Sequence, residues 1–405
     1  MRSQISLRDA NPFGLASAAA VERMLADIRD LAPEITAQAA EFEDARRIPP
    51  ELVETLRSIG VFRIFTPRSH GGLELELPKA LDVITALSRI DGSVGWDAMI
   101  GGASGLFLPL LPGETYDRIL RDGPDVICAG SIAPVGTAEP APGGGWRVSG
   151  RWPFASGCQH ADWILGFCVM IRDGRPIPGR GGEAGPPLIR GFVLPARDWR
   201  IEDTWHVAGL RGTGSHHVSL QDALVPEEQF FDFLDGRPCV PGPLYQAVRQ
   251  LLPLLHGAFS VGMAEAALAE LIALAGTGRQ QLRAPVPMRD SEVFHSDLGR
   301  IAAEVGAARA YHRAQVESHW RHALAGTLKD DALHAEGTQA GIWIASTCVH
   351  AADTCFALAG GAALYDSSPL QRRLRDLHAA AQHAAVHQRF YVDAGRALLD
   401  RAKAV

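Results

Sequence analysis

The sequence predicts an α+β fold in which a helical segment, a small antiparallel β segment and a second helical segment follow one another along the chain. Three observations predict it. Apolar residues keep helical spacing from about residue 15 to 122, short β-rich runs punctuated by Gly and Pro occupy about 125–231, and long Ala/Leu-periodic segments fill the chain from Gly242 onward. The chain therefore divides into a helical domain 1–124, a β domain 125–232 and a helical bundle 233–405. At 405 residues it is too long for one small core, and two or three packed subdomains are expected.

Each element has its own warrant. Pro49-Pro50 opens a helix whose apolar positions Leu52, Val53, Leu56 and Ile59 share a face, and Gly60 stands where a C-cap belongs. SHGGLELELP (69–78) reads as a loop before a second helix, Lys79–Ile90. A third helix runs through SVGWDAMIGGASGLFL (93–108), and a short fourth begins near Glu114. VICAGSI, GGGWRVSGRW, DWILGFCVMI, IRGFVLP and HHVSLQDALVP then alternate with turns, as strands of an antiparallel sheet do. RDGRPIPGRGGEAGPP (172–187) is rich enough in Gly and Pro to read as a mobile hairpin loop. Segments 243–277, 291–325, 333–359 and 369–402 predict an antiparallel four-helix bundle. Within the last, RRLRDLHAAAQHAAVHQRF (372–390) reads as one continuous helix.

Composition excludes several classes. With 47% hydrophobic and 21% charged residues the chain is an ordinary globular one, and a net charge of −7 argues against nucleic acid or an anionic membrane as main partner. MRSQISLRDANPFG lacks the apolar h-region of a signal peptide. No run of about 18 apolar residues occurs; the nearest, Val94–Leu111, is broken by Asp97 and glycines. The six cysteines form no C-x-x-C pair, which predicts free thiols in a cytoplasmic enzyme and no zinc site.

The segments VSGRWPFASGCQHADWI (148–164), WHVAGLRGTGSHHVSLQDALVP (205–226) and GGAALYDSSPLQRRLRD (360–376), in that order, resemble the acyl-CoA dehydrogenase superfamily. The resemblance implies an acyl-CoA dehydrogenase-like fold with a flavin held between its domains. In thioester-oxidising members of the medium-chain type, a catalytic glutamate follows the Arg-Asp pair, just before a Gly-Thr. The same count from Arg375-Asp376 reaches Ala384, which cannot take a proton, and no Gly-Thr follows. Gln382-His383 stands there instead. That pattern, with GRWPFASGCQHADW and DGSVGWDAMIGG, is similar to the flavin-dependent two-component monooxygenases of the same fold. Two departures are Gln159, where that branch often has Asp, and GGASG, where it has a histidine-containing segment.

The resemblance implies an oxygenase component that takes reduced flavin (FMN or FAD) from a separate NAD(P)H-flavin reductase. It would use O2 through a C4a-hydroperoxide to hydroxylate an apolar aromatic, phenol- or indole-like, and assemble as a homotetramer. The rivals are an acyl-CoA dehydrogenase or nitroalkane-oxidase-like flavoprotein, and a catalytically silent scaffold.

His383 is the candidate acid/base, since an imidazole exchanges a proton near neutral pH; a core histidine is the plainer alternative. His378 and His387 read as solvated or inter-subunit residues. The i, i+4 spacing of His383 and His387 would suit a metal, but Ala384 occupies the place of a zincin glutamate, so no metal is expected. The resemblance implies that Phe154 lies on the flavin and that the Ser156 hydroxyl, able to donate and accept, reaches its N5. Trp152 is a cofactor contact or a core residue. Arg211-Gly212-Thr213-Gly214-Ser215 lacks the spacing of a dinucleotide fingerprint and implies a tight turn beside the flavin. Arg211, Thr213 and Ser215 are its candidate contacts, and Arg283 and Arg289 are candidate phosphate ligands. Trp96, Met99, Phe107 and Leu108 recur at helical spacing, as a core stripe does; the family position of their helix makes Trp96 and Met99 candidate substrate contacts.

Overall fold

The computed structural model describes residues 18–403, so Met1–Gly14 and the expected helix start at 15 lie outside the described residues. Six helices come first: α1 (Ala18–Ala45), α2 (Pro50–Ile59), α3 (Leu77–Ile90), α4 (Gly92–Gly102), α5 (Ser104–Phe107) and α6 (Gly113–Ile119). Pro50 sits in the first turn of α2, and Gly60 closes it at φ 94°, its N–H returning to the carbonyls of Leu56 and Arg57. Asp91 caps α4, accepting from the N–H groups of Ser93 (2.9 Å) and Val94 (3.1 Å). The expected third helix is broken after Gly102. Gly105 there lies so close to the backbone of Phe65 and Thr66 that a Cβ would come within 2.5 Å of the Thr66 nitrogen.

Strands follow: β1 (Cys128–Gly130), β2 (Gly136–Pro140), β3 (Trp146–Trp152), β4 (Trp163–Arg172), β5 (Arg175–Pro176), β6 (Ile189–Pro195), β7 (Arg200–Glu202), β8 (His217–Val225) and β9 (Phe230–Phe231). They form one sheet in the order β7-β8-β3-β2-β4-β6-β9, with β1 and β5 also on β4. The expectation of an antiparallel sheet is corrected here. β1 and β2 both pair parallel with β4, one beyond the other along the same edge, so the sheet is mixed. The 172–187 hairpin is shorter as a loop than expected, since β5 pairs with β4 and Pro178 bridges Pro187.

The bundle comprises α7 (Leu252–Gly276), α8 (Glu292–Leu324), α9 (Asp331–Ala359), α10 (Pro369–Ala380) and α11 (Tyr391–Lys403). α7 starts later than the expected 243 because Pro253 fixes its first turn. α7 and α9 have the length and apolar composition of membrane spans. They use it for packing, α7 against α3 and α9, and α9 also against α8 and α10. The continuous helix expected over 372–390 does not form. α10 stops at Ala380, and the short 3-10 turns Ala384–Val386 and Gln388–Phe390 lead to α11.

Two apolar cores result. One runs without interruption from α1–α6 into α7–α10, so both ends of the chain share it. The other lies against the sheet around Trp152, Phe192, Trp199 and Phe230. The residues that carry chemistry collect where the two meet.

Candidate active site

Trp96, on α4, is the centre of the cluster. Its ring meets His383 edge-on at 5.6 Å between centroids, His256 of α7 at 5.6 Å and Phe259 at 5.1 Å. Its Nε1 donates to Ser156 Oγ at 3.0 Å. Ser156 in turn lies 2.7 Å from Ser215 Oγ, Ser215 lies 2.6 Å from Thr213 Oγ1, and Thr213 donates to the Leu210 carbonyl at 2.9 Å. All three hydroxyls are buried. The turn that carries two of them is bounded by left-handed residues, Leu210 and Gly214, both at φ 53°. Gly214 is required there: a Cβ would stand 2.6 Å from Gln159 Oε1.

Hydrogen counting fixes the direction of this chain. Three short oxygen–oxygen contacts link Ser156, Ser215, Thr213 and a carbonyl, and three hydroxyl protons are available to fill them. The carbonyl can only accept, so Thr213 donates to it, Ser215 to Thr213 and Ser156 to Ser215. Indole N–H can only donate, so Ser156 receives from Trp96. With the chain in this direction the Ser156 proton is engaged, and a lone pair is what remains for a ligand.

His383 stands just beyond the end of α10. Its Nδ1 accepts from the Ala385 N–H at 3.2 Å, which leaves the proton of the neutral ring on Nε2. Only part of its surface is accessible, and enclosure by protein atoms pushes its pKa down to about 4. The ring lies 5.7 Å from that of His256. His256 donates from Nε2 to the Ala380 carbonyl at 2.9 Å and has Ser260 Oγ 3.3 Å from Nδ1. Burial, with the neighbouring His383, lowers its pKa to about 3. Next to Trp96 in the chain, burial pushes the Asp97 carboxyl well above the usual range, and burial lowers His160, whose Nε2 is 3.9 Å from Asp97 Oδ2, to about 4. His383, His256 and His160 are thus neutral at neutral pH, which suits a dry, apolar pocket.

The helix break separates the three histidines. His387 is exposed and caps Arg389, and His378 pairs with Asp353 Oδ1 of α9 at 2.7 Å on the surface. With α10 ended at Ala380, His383 and His387 do not share a helix face.

Phe154 is 62% exposed, and its backbone is left-handed at φ 64°, an uncommon state for a non-glycine residue. Its ring contacts Trp205 and His217 edge-on, and the Nδ1 of His217 is buried without a hydrogen-bond partner. Trp152 is elsewhere. It is fully buried in the sheet core and its Nε1 is taken by the Phe167 carbonyl at 2.7 Å, so it has no surface to offer a cofactor. Met99 is buried in the helical core one turn beyond Trp96, and Phe107 stacks on Phe233. Arg211 is half-buried at the turn. Arg283 and Arg289 are exposed on the segment between α7 and α8, Arg283 at φ 64°, and no hydrogen bond joins either to the Trp96 cluster.

The Arg-Asp pair ties the site together, a role no spacing in the sequence suggests. Arg375 grips Glu43 of α1 through two bonds of 2.7 and 3.0 Å. Asp376 accepts the Leu210 N–H at 2.6 Å, at the foot of the hydroxyl chain. Glu265 and Glu270, the carboxylates of α7, are engaged with Arg309 and Arg373.

Residues 20–112 match the family model described as acyl-CoA dehydrogenase, N-terminal domain, and residues 254–388 the corresponding C-terminal domain. An indole-3-acetate monooxygenase from Pseudomonas putida is 32% identical over 400 residues, 96% of each chain. The chain belongs to the acyl-CoA dehydrogenase superfamily, in its branch of flavin-dependent monooxygenases. This oxygenase is also 31% identical over 390 residues to an FADH2-dependent resorcinol hydroxylase, oxygenase component, from a Rhizobium strain, covering 90% of this chain and 91% of that one. Among solved structures it superposes on XiaF from a Streptomyces species, in complex with FADH2 and glycerol, at a TM-score of 0.85 and 27% identity, covering 94% and 96%.

Proposed function

We propose that the chain is the oxygenase component of a two-component system. It takes reduced flavin, FMN or FAD, from a separate NAD(P)H-flavin reductase and uses O2, by way of the C4a-hydroperoxide, to hydroxylate a small apolar aromatic of phenol or indole type. The observation that carries this reading is the half-buried imidazole of His383, edge-on to Trp96 at 5.6 Å with its Nδ1 engaged by backbone, one residue before Ala384, the counted position of the carboxylate in a thioester dehydrogenase of the medium-chain type.

The residues fit a flavin ring. Phe154 offers an exposed aromatic face, Ser156 a lone pair and His217 an unpartnered ring nitrogen, all uncharged. When bound, the reduced flavin supplies the electrons that activate O2. The chain's own residues do the rest. Ser156 would hold flavin N5 through its free lone pair, while the indole N–H of Trp96 donates to the same oxygen. His383, neutral and with Nδ1 engaged by backbone, would supply a proton donor at Nε2 rather than a base. The uncharged walls keep water out, so the activated oxygen is not lost as peroxide. Thr213 and Ser215 act through Ser156, and Arg211 lies at the rim. Trp96 and Met99 belong to the helix beside the substrate. The exposed apolar side chains Leu364, Tyr365, Leu398 and Leu399 support assembly into a homotetramer, which sedimentation would test.

Against an acyl-CoA dehydrogenase stand Ala384, at the counted position of the catalytic glutamate, and the ion-paired glutamates of α7. The deciding experiment mixes the protein, loaded anaerobically with chemically reduced flavin, with oxygenated buffer. A long-lived absorbance band of a flavin hydroperoxide supports the proposal. Dye reduction with short- or medium-chain acyl-CoA would overturn it, and absence of any flavin affinity would leave a silent scaffold.

A further inference from the structure

We infer that Thr213 and Ser215, by fixing the direction of the hydroxyl chain that ends on Ser156, make this site select reduced over oxidised flavin. The inference rests on the reading that flavin N5 meets Ser156. In the direction forced by the contacts, Ser156 receives from Trp96 and gives its proton to Ser215, so it can offer a ligand only a lone pair. Reduced flavin carries a hydrogen on N5 and can donate to that lone pair. Oxidised flavin has a bare N5, and two lone pairs would face each other.

The chain can serve oxidised flavin only by running backward. Ser156 would then donate to N5, Ser215 to Ser156 and Thr213 to Ser215, and no proton would remain for the 2.9 Å contact between Thr213 and the Leu210 carbonyl. That carbonyl also receives the Trp205 Nε1–H at 2.9 Å and the Thr213 N–H at 3.2 Å, so reversal loses one bond without stranding the acceptor. The preference set in this way is about tenfold, which corresponds to about 1.4 kcal/mol and is the size of one net neutral hydrogen bond. It is anchored outside the pocket. Thr213, two contacts away from Ser156, holds the direction because a backbone carbonyl cannot donate.

Anaerobic titration of the apoprotein with reduced and with oxidised flavin measures the ratio of the two dissociation constants. Ser215→Ala frees the Ser156 proton, and Thr213→Val removes the anchor. Each is expected to tighten oxidised flavin relative to reduced and lower the preference about tenfold. Thr213→Ser keeps the hydroxyl and is expected to keep the parent ratio, which separates direction from packing. Ser156→Ala reports on the underlying reading, since it must weaken reduced flavin if N5 lies there. If Ser156→Ala weakens reduced flavin but Ser215→Ala and Thr213→Val leave the ratio at the parent value, the inference is overturned while the N5 reading stands. If Ser156→Ala alters neither affinity, both fall. Should Ser215→Ala not fold, as judged by its thermal melt, Thr213→Val against Thr213→Ser decides alone.

Discussion

His256 Nε2 donates to the carbonyl of Ala380 at 2.9 Å, and the helix on the way to His383 ends at that residue. The Ala380 oxygen would accept from the Ala384 N–H if α10 continued. It is instead shared between His256 and the His383 N–H at 3.0 Å, while His383 turns its own Nδ1 onto the Ala385 N–H. A buried histidine on another helix thus stops α10 and aims the imidazole that follows.

Loss of that donor should let α10 run on. In His256→Phe the buried carbonyl keeps only local partners, and destabilisation of about 1–3 kcal/mol is expected. The His383 pKa should rise from about 4 toward the ordinary histidine value as its ring leaves the pocket. Imidazole NMR on the apoprotein measures this directly; an unmoved His383 resonance would show that His256 is mere filling.

His383→Ala should consume oxygen while product falls by about 10²–10⁴-fold, as for a lost general acid. The missing oxygen should appear as hydrogen peroxide. His378→Ala and His387→Ala, at surface sites, should keep the parent ratio of product to oxygen. Because burial holds the His383 pKa near 4, the Nε2–H is present throughout neutral pH, and that ratio should show no inflection near pH ~6.5. A step there, or uncoupling in His387→Ala, counts against the assignment.

Phe154→Gly separates stability from binding. The left-handed backbone at φ 64° costs phenylalanine energy that glycine does not spend, so the variant should unfold at equal or higher denaturant, by up to about 1 kcal/mol. Reduced flavin should bind it more weakly because the exposed ring is gone. If affinity is unchanged, the ring is not a flavin platform.

Asp376→Asn should alter the pH dependence of stability. Burial, the largest cause, and the nearby Asp91 raise the folded-state pKa of Asp376 from 3.8 to about 7. Between those values the folded protein holds the extra proton, so this group's contribution is full below pH ~4, falls as pH rises and levels off above about 7. The steepest loss is about 1.4 kcal/mol per pH unit. Asparagine keeps the acceptor for the Leu210 N–H and has no such loss, so it should gain on the parent between pH 5 and pH 8. Urea denaturation at both values tests the sign; an identical difference at each would refute it.

How far the sequence was legible follows local rules. Gly60 and Pro50 announce a helix by chemistry that acts within one turn, and both lie where expected. Ser156, Thr213, Ser215 and Trp96 were recognisable as candidates, and the fold joins them in one chain of contacts. Their direction was not legible, because it depends on a carbonyl, that of Leu210, brought in by the tertiary fold. The break after Ala380 was hidden for the same reason: alanines around it favour helix, and the residue that stops it lies more than a hundred positions earlier. His256 carries no signal in an apolar helix, and Trp152 looks like a site residue until its indole is seen filling the sheet core.

The apolar core shared by both ends of the chain has a consequence for biosynthesis. Ala80, Leu81, Ile84 and Leu87 of α3 are buried, and α3 packs on α7, whose first residue is Leu252. A ribosome therefore displays the α3 face, and the almost wholly apolar α4, for the whole time it takes to translate the sheet. At about 5–20 residues per second, the roughly 160 residues between Ile90 and Leu252 take about 8–30 s. Through that interval the nascent chain offers chaperones a hydrophobic surface that no earlier segment can cover. Messages truncated before α7 should give insoluble product, however well formed their strands.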